Sequence, residues 1–305
     1  MGKQYPVNNE KIYRPAIRAA QLGLLVNLGL AVAKSAAGVY SQSFAMLSDA
    51  INSLGDCLTS GVVLYALKLA QKPADQEHPY GHSKAEGIAA SNIAVLILCS
   101  AAFMLWEIYS HARSSTVQAT WWIILLSIGT IVIKEGLFQY KHAIGKKIKS
   151  ASLIANAWDH RMDAMSSTAV LIGLVAVYYG GPQYAWADTV AAMLVLCGVG
   201  YSSLHLLRES SRELMDSQAE PEFVQQVQQC AEQVADVLFI ETLYVRKTGL
   251  EYLVDIHICV EANLSVADGH EIGHAVKDRI IHSFLPIRDV LVHIEPYTPA
   301  IKNRS

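Results

Sequence analysis

The sequence is short of charge. Asp, Glu, Lys and Arg make up 17% of its 305 residues against 52% hydrophobic residues, and the mean hydropathy is +0.26. Soluble globular domains carry about a quarter charged residues, so this composition excludes an ordinary soluble enzyme and points to a membrane protein. The five cysteines, Cys57, Cys99, Cys197, Cys230 and Cys259, form no CxxC pair and no zinc-finger spacing. That excludes a disulfide framework and reads them as small buried hydrophobes. There is no GxxxxGK[ST] loop to mark a nucleotide-driven machine. No nucleic-acid partner is expected.

What is present is apolar length. Residues 16–40, 44–70, 85–110, 119–141, 152–179 and 187–207 are each long enough for a hydrocarbon core, which needs about 20 helical residues. The first run is longer than the apolar region of a signal peptide and five more follow it, so it is read as a permanent helix. From Met215 onward apolar and charged residues alternate as in a globular domain. The expected architecture is therefore an all-α six-helix transmembrane bundle over residues 1–213, followed by a small soluble α+β domain over residues 214–305.

Lysine and arginine set the expected orientation, because positive residues are retained on the cytoplasmic side. One side carries Lys3, Lys11, Arg14, Arg18, Lys68, Lys72, Lys84, Lys141, Lys146, Lys147, Lys149, Arg208 and Arg212, and the other carries Arg113 alone. Both termini are predicted to be cytoplasmic.

Carboxylates occur where lipid disfavours them. The second apolar run contains Asp49, Asn52 and Asp56, and the fifth contains Asp159 and Asp163. Steps of three and four residues put each set on one helical face. An ionised Asp near the bilayer centre costs at least about 2.5 kcal/mol, so four need compensation. A shared divalent cation supplies it, since no Lys or Arg lies in the same stripes except Arg161, which falls on a different face. The alternative is that Asp and Asn merely join helices. All these donors are oxygens, and hard oxygen ligands favour Mn²⁺, Mg²⁺ or Ca²⁺ over Zn²⁺ or copper. His160 is turned about 100° from Asp159 and is read as packing or as support for a ligand. Lys34 is expected to snorkel to an interface, Lys134 and Glu135 to pair with neighbouring helices, and Glu107 to be solvated.

These features together resemble the cation diffusion facilitator family. The resemblance is carried by Asn52-x-x-x-Asp56, by Asp159-x-x-x-Asp163, by the loop KPADQEHPYGHSKAE from Lys72 to Glu86, and by the layout of six runs plus tail. It covers nearly the whole chain. It implies a transport site of Asn52, Asp56, Asp159 and Asp163, with Asp49 behind them, and export of a divalent metal. Zinc exporters of the family usually carry His at the position of Asp159, so Asp implies the manganese-type branch. The stretch IANAWDHRMDA over residues 154–164 is similar to magnetosome-membrane members linked to iron, which makes Fe²⁺ the second choice. The resemblance also implies a loop metal site at Asp75, His78 and His82, an interlock between Lys84 and Asp216, and homodimerisation.

The tail reads helix over 221–234, strand over 240–247, strand over 251–260, helix over 266–284 and strand over 289–295. That order predicts two helices on a three-stranded sheet, ferredoxin-like in class. Alternation sends Val254, Ile256, Ile258 and Val260 to one face and Asp255, His257 and Cys259 to the other, with His293 and Glu295 on the matching face of the third strand. The resemblance places regulatory metal at His257, His270, His293 and Glu295, with Glu241 joining them; His274 is ambiguous and His282 is read as surface. Residues 214–305 hold 14 acidic and 7 basic side chains, net −7, so two tails repel until divalent cations bridge them.

The function expected is proton-coupled export of a divalent cation, Mn²⁺ first and Fe²⁺ second, from a bacterial inner membrane or an organelle membrane derived from it. Clustered carboxylates take up protons when the cation leaves. Competing readings are a Zn²⁺ or Cd²⁺ exporter, a metal-sensing scaffold with little flux, and an intramembrane aspartyl protease. The YD and GxGD signature of the last is absent.

Overall fold

The computed structural model describes residues 9–41, 44–111, 121–180 and 185–297, and within these helices some side chains, those of Asp49, Asn52 and Glu107 among them, lie outside the described set. The chain divides into two units, 13–211 and 212–305, the latter joined by residues 1–12.

The first unit consists of long helices: α1 Asn9–Ser41, α2 Phe44–Ala70, α3 Ala85–His111, α4 Trp121–Ile148, α5 Ala151–Gly180 and α6 Ala185–Leu214. Even the 27-residue members reach about 40 Å at 1.5 Å per residue, more than the ~30 Å hydrocarbon core. Among the described residues, three segments are long and apolar enough to cross a membrane: Lys11–Ala36, Ser53–Ala70 and Ala85–Phe103. Their outer faces stay apolar where a water-soluble bundle would turn polar, with Leu25, Val32, Leu58 and Tyr65 exposed.

Small residues and buried polar contacts hold this unit together. Gly145 lets α4 and α5 close into a tight hairpin: a Cβ there would lie 2.8 Å from Cγ1 of Ile154 and 3.3 Å from its backbone nitrogen. Glu86, fully buried in the first turn of α3, accepts from the Ser150 hydroxyl, the Ser152 hydroxyl at 3.1 Å and the Ser152 N–H at 3.2 Å. An anion at the start of α5 is favourable for the helix dipole. On α1, Asn27 donates to the Asp56 carbonyl at 3.2 Å and the Ser60 hydroxyl at 3.1 Å. These contacts fix α2, α3 and α5 against their neighbours and set the rotation of the helix faces.

The second unit follows the predicted order closely: α7 Pro221–Glu232, β1 Phe239–Thr248, β2 Glu251–Val260, α8 Val266–Ser283 and β3 Ile287–Pro296. The sheet order is β1-β2-β3, with β1 antiparallel and β3 parallel to β2. The parallel pair requires a crossover, which α8 provides. Val254, Ile256, Ile258 and Val260 are buried, and with Val227, Ala231, Val276 and Ile280 they form one core. Helix α8 begins at a Ser265 cap that accepts from the Asp268 N–H. Gly273 brings it against β3, a Cβ there standing 3.1 Å from Cδ1 of Ile294. The helix therefore covers the Val292 and Ile294 face of β3.

Candidate transport site

Asp56 on α2 and Asp159 and Asp163 on α5 line one cavity of about 770 Å³. Thr59, one turn beyond Asp56, donates its hydroxyl to Oδ2 of Asp159 at 2.9 Å. The two carboxylate stripes thus face a common space, as a shared ion requires. The structure gives no description of the Asp49 and Asn52 side chains, so their expected parts fall outside the described residues.

The charge compensation differs from expectation. Lys134 on α4 reaches between the helices and its ammonium donates both to Oδ2 of Asp56 and, at 2.5 Å, to Oδ2 of Asp163. It is 2% exposed. The expected pairing of Lys134 with neighbouring helices is thus found, but which acids it meets was not legible, because its charge comes from a third helix whose rotation the two carboxylate stripes do not fix. One signal was available: Lys134 is itself a charge inside an apolar run, and such a charge needs an acidic partner. Glu135, the next residue, bonds along its own helix instead, accepting from Gln139 at 2.7 Å.

Two other lysines depart from the sequence reading. Lys34 does not snorkel to an interface; it is 3% exposed, donates to the Ser53 hydroxyl at 3.1 Å and lines the same cavity. Lys141 is not a loop charge. It is fully buried, bonded to Asn156 Oδ1 at 2.5 Å and lying 2.8 Å from Nε2 of His160. Gly23 on α1 makes room for it: a Cβ on Gly23 would overlap the Lys141 side chain. His160 is accordingly buried packing with a polar partner, and Arg161 stacks on Phe138 at 4.3 Å from the ring centre.

The loop before α3 gathers Asp75, His78 and His82. Their ligand atoms lie within 4.8 Å of one another, and Asp75 oxygens stand 3.4 Å from His78 Nδ1 and from His82 Nε2. The turn is closed by the His78 N–H, which donates to Oδ1 of Asp75 at 2.7 Å, and by Gly81, whose φ of 78° suits glycine. The His78 N–H holds the Asp75 carboxyl below the usual carboxylate range. Two imidazoles and a carboxylate suit a first-row metal. Lys84 is exposed just before α3, and Asp216, at φ 55°, follows α6.

On the tail, His257 and His293 are direct neighbours across the parallel strands, with ring centres 4.7 Å apart. Oε1 of Glu295 lies 3.1 Å from Nδ1 of His257 and 3.5 Å from Nε2 of His293. These three form the second cluster with metal-ligand spacing among the described residues. His270 stands apart from it, because α8 packs on the other face of the sheet; its ring meets that of His274 at 4.5 Å. Glu241 sits at the register shift of β1. Burial, then the charges of Glu241 and Glu295, raise the Cys259 thiol above its ordinary value, which keeps it protonated.

Two family models match the chain. The cation efflux transmembrane domain family matches residues 20–215, and the cytoplasmic domain of cation efflux proteins matches residues 219–297. The chain is 34% identical over 275 residues to magnetosome protein MamB of Paramagnetospirillum magneticum, covering 89% of this chain and 91% of the relative. It is 33% identical to metal tolerance protein 2 of rice, over 94% of this chain and 80% of the relative. It is 29% identical to the manganese efflux system protein MneP of Bacillus subtilis, over 92% and 96%.

Proposed function

Because this chain belongs to the cation efflux, or cation diffusion facilitator, family, and is thus a divalent metal cation efflux transporter, we propose that it exports Mn²⁺ in exchange for protons. The supporting observation is the cavity that Asp56, Asp159 and Asp163 share. Its acidic donors are all hard oxygens, which suit Mn²⁺ better than Zn²⁺. Asn52 completes the ligand set one turn before Asp56, with Asp49 behind it. Fe²⁺ is the second substrate.

Transport proceeds by alternating access. Cytosolic Mn²⁺ binds the carboxylates, the helices rock, and protons from the far side replace the cation. The six long helices all cross the bilayer, both termini are cytoplasmic, and the membrane is a bacterial inner membrane or one derived from it. The tails pair as a homodimer, metal at His257, His293 and Glu295 relieves their mutual repulsion, and Asp75, His78 and His82 hold a separate loop metal. Lys84 and Asp216 form the interlock that the family resemblance implies.

Proteoliposome flux of Mn²⁺, Fe²⁺, Zn²⁺ and Cd²⁺, with and without a pH gradient, tests this. Mn²⁺ should move fastest and its flux should acidify the compartment it leaves. Zn²⁺ or Cd²⁺ moving faster than Mn²⁺ would overturn the assignment, and no flux of any divalent ion would favour a sensing scaffold.

A further inference from the structure

Lys134 holds the two carboxylates by the same atoms that a metal would use. A divalent cation stands roughly 2.0–2.6 Å from its carboxylate oxygens. The Lys134 nitrogen lies 2.5 Å from Oδ2 of Asp163 and also bonds Oδ2 of Asp56. It therefore takes the point that an ion shared by those two oxygens would occupy, and both cannot be there at once. Asp159 is held differently, its Oδ2 accepting from the neutral Thr59 hydroxyl.

The ammonium has somewhere to go. The cavity of about 770 Å³ that Lys134 lines also includes Thr130, Ser100 and Ser167. Thr130 lies one turn back on α4, the direction in which helical side chains lean, and a hydroxyl there can accept from a displaced ammonium.

We propose that Lys134 is a tethered competitor of the transported metal. An incoming cation lands first at Asp159, then displaces the ammonium from Asp56 and Asp163. When the ammonium swings back it ejects the metal and neutralises the two carboxylates while the carrier resets. The inference rests on the transport reading above and deepens it, because it assigns to this chain's own residue a part in metal release. It also explains why a lysine is tolerated in a site built to hold a cation: it lowers affinity and speeds turnover.

The test uses the full chain in proteoliposomes and reads KM and maximal rate for Mn²⁺ separately. Lys134→Met and Lys134→Gln remove the competitor, so KM should fall at least fivefold while the maximal rate also falls at least fivefold. Lys134→Arg grips both carboxylates with a planar fork and should raise KM at least threefold, a result that decides the matter if the neutral variants do not fold. A residue that merely packs the helices would lower the rate with KM unchanged or raised in the neutral variants. That outcome, or an unchanged KM in Lys134→Arg, overturns the proposal. Asp159→Asn serves as the control for the transport reading: if it abolishes flux while Lys134 variants keep the wild-type KM, transport through the carboxylates stands and the competitor does not. Absence of wild-type divalent flux overturns both.

Discussion

Thr59 on α2 donates its hydroxyl to Oδ2 of Asp159 on α5 across 2.9 Å, and the Thr59 hydroxyl oxygen also lies 3.1 Å from the Asp56 carbonyl oxygen of its own helix. The carboxylate is the nearer acceptor and the charged one. This bond joins the two helices at the site and fixes which Asp159 oxygen is free to meet a cation. A hydrogen bond to a charged group contributes about 1.5–3 kcal/mol. Thr59→Val keeps the shape and loses the bond, so it should raise KM for Mn²⁺ roughly tenfold, while Thr59→Ser stays near wild type. The concentration dependence of flux checks both.

Asp159→His replaces one hard oxygen donor with an imidazole. Ligand chemistry then favours Zn²⁺, and the ratio of Zn²⁺ to Mn²⁺ flux should rise at least tenfold. An unchanged ratio in a competition assay counts against the selectivity argument.

Much of the fold was legible. The tail strands alternate apolar and polar residues with a period of two, so Val254, Ile256 and Ile258 announce a buried face and His257 an open one. The ends of the tail elements fall within two residues of their sequence positions, the slack expected of fraying termini, whereas α1, α4 and α6 each run seven residues beyond an end of their apolar runs. Helical spacing made legible that Asp159 and Asp163 share one face of their helix; that this face meets Asp56 was implied by charge compensation and the family resemblance. The buried positions of Lys34 and Lys141 were not legible, whereas Lys134 was expected to pair with neighbouring helices and does so. Each is a lysine in an apolar run, and sequence alone cannot say whether its stem points to lipid headgroups or to the bundle interior. That is decided by helix rotation, which Gly23, Gly145 and Glu86 set through contacts far apart in the chain. His270 failed to join the tail cluster for a related reason: its helix crosses to the other face of the sheet.

Gly23→Ala tests the Lys141 pocket. The added methyl takes space that the Lys141 side chain fills, so the ammonium must leave Asn156 and His160 or the helices must part. Overpacking of this kind costs about 1–3 kcal/mol. The detergent-solubilised variant should melt at a lower temperature than wild type, and Gly23→Ala combined with Lys141→Met should recover part of the loss.

The loop turn has a pH dependence of definite sign. The folded carboxyl of Asp75 titrates below its usual range because the His78 N–H donates to it. The contact is therefore fully present above the ordinary carboxylate value of about 3.9, and it is lost as pH falls through the depressed folded value. Hydrogen exchange of the His78 amide should show protection retained at pH 5 and lost only in stronger acid, and Asp75→Ala should remove it throughout.

The most direct measurement is Mn²⁺ flux through proteoliposomes containing Asp56→Asn, Asp159→Asn or Asp163→Asn. Each variant keeps the side-chain shape and removes one charge from the cavity. If the three carboxylates carry the ion together, each substitution alone lowers flux at least tenfold while the protein remains folded and dimeric by light scattering. Wild-type flux in any of the three would contradict a shared site.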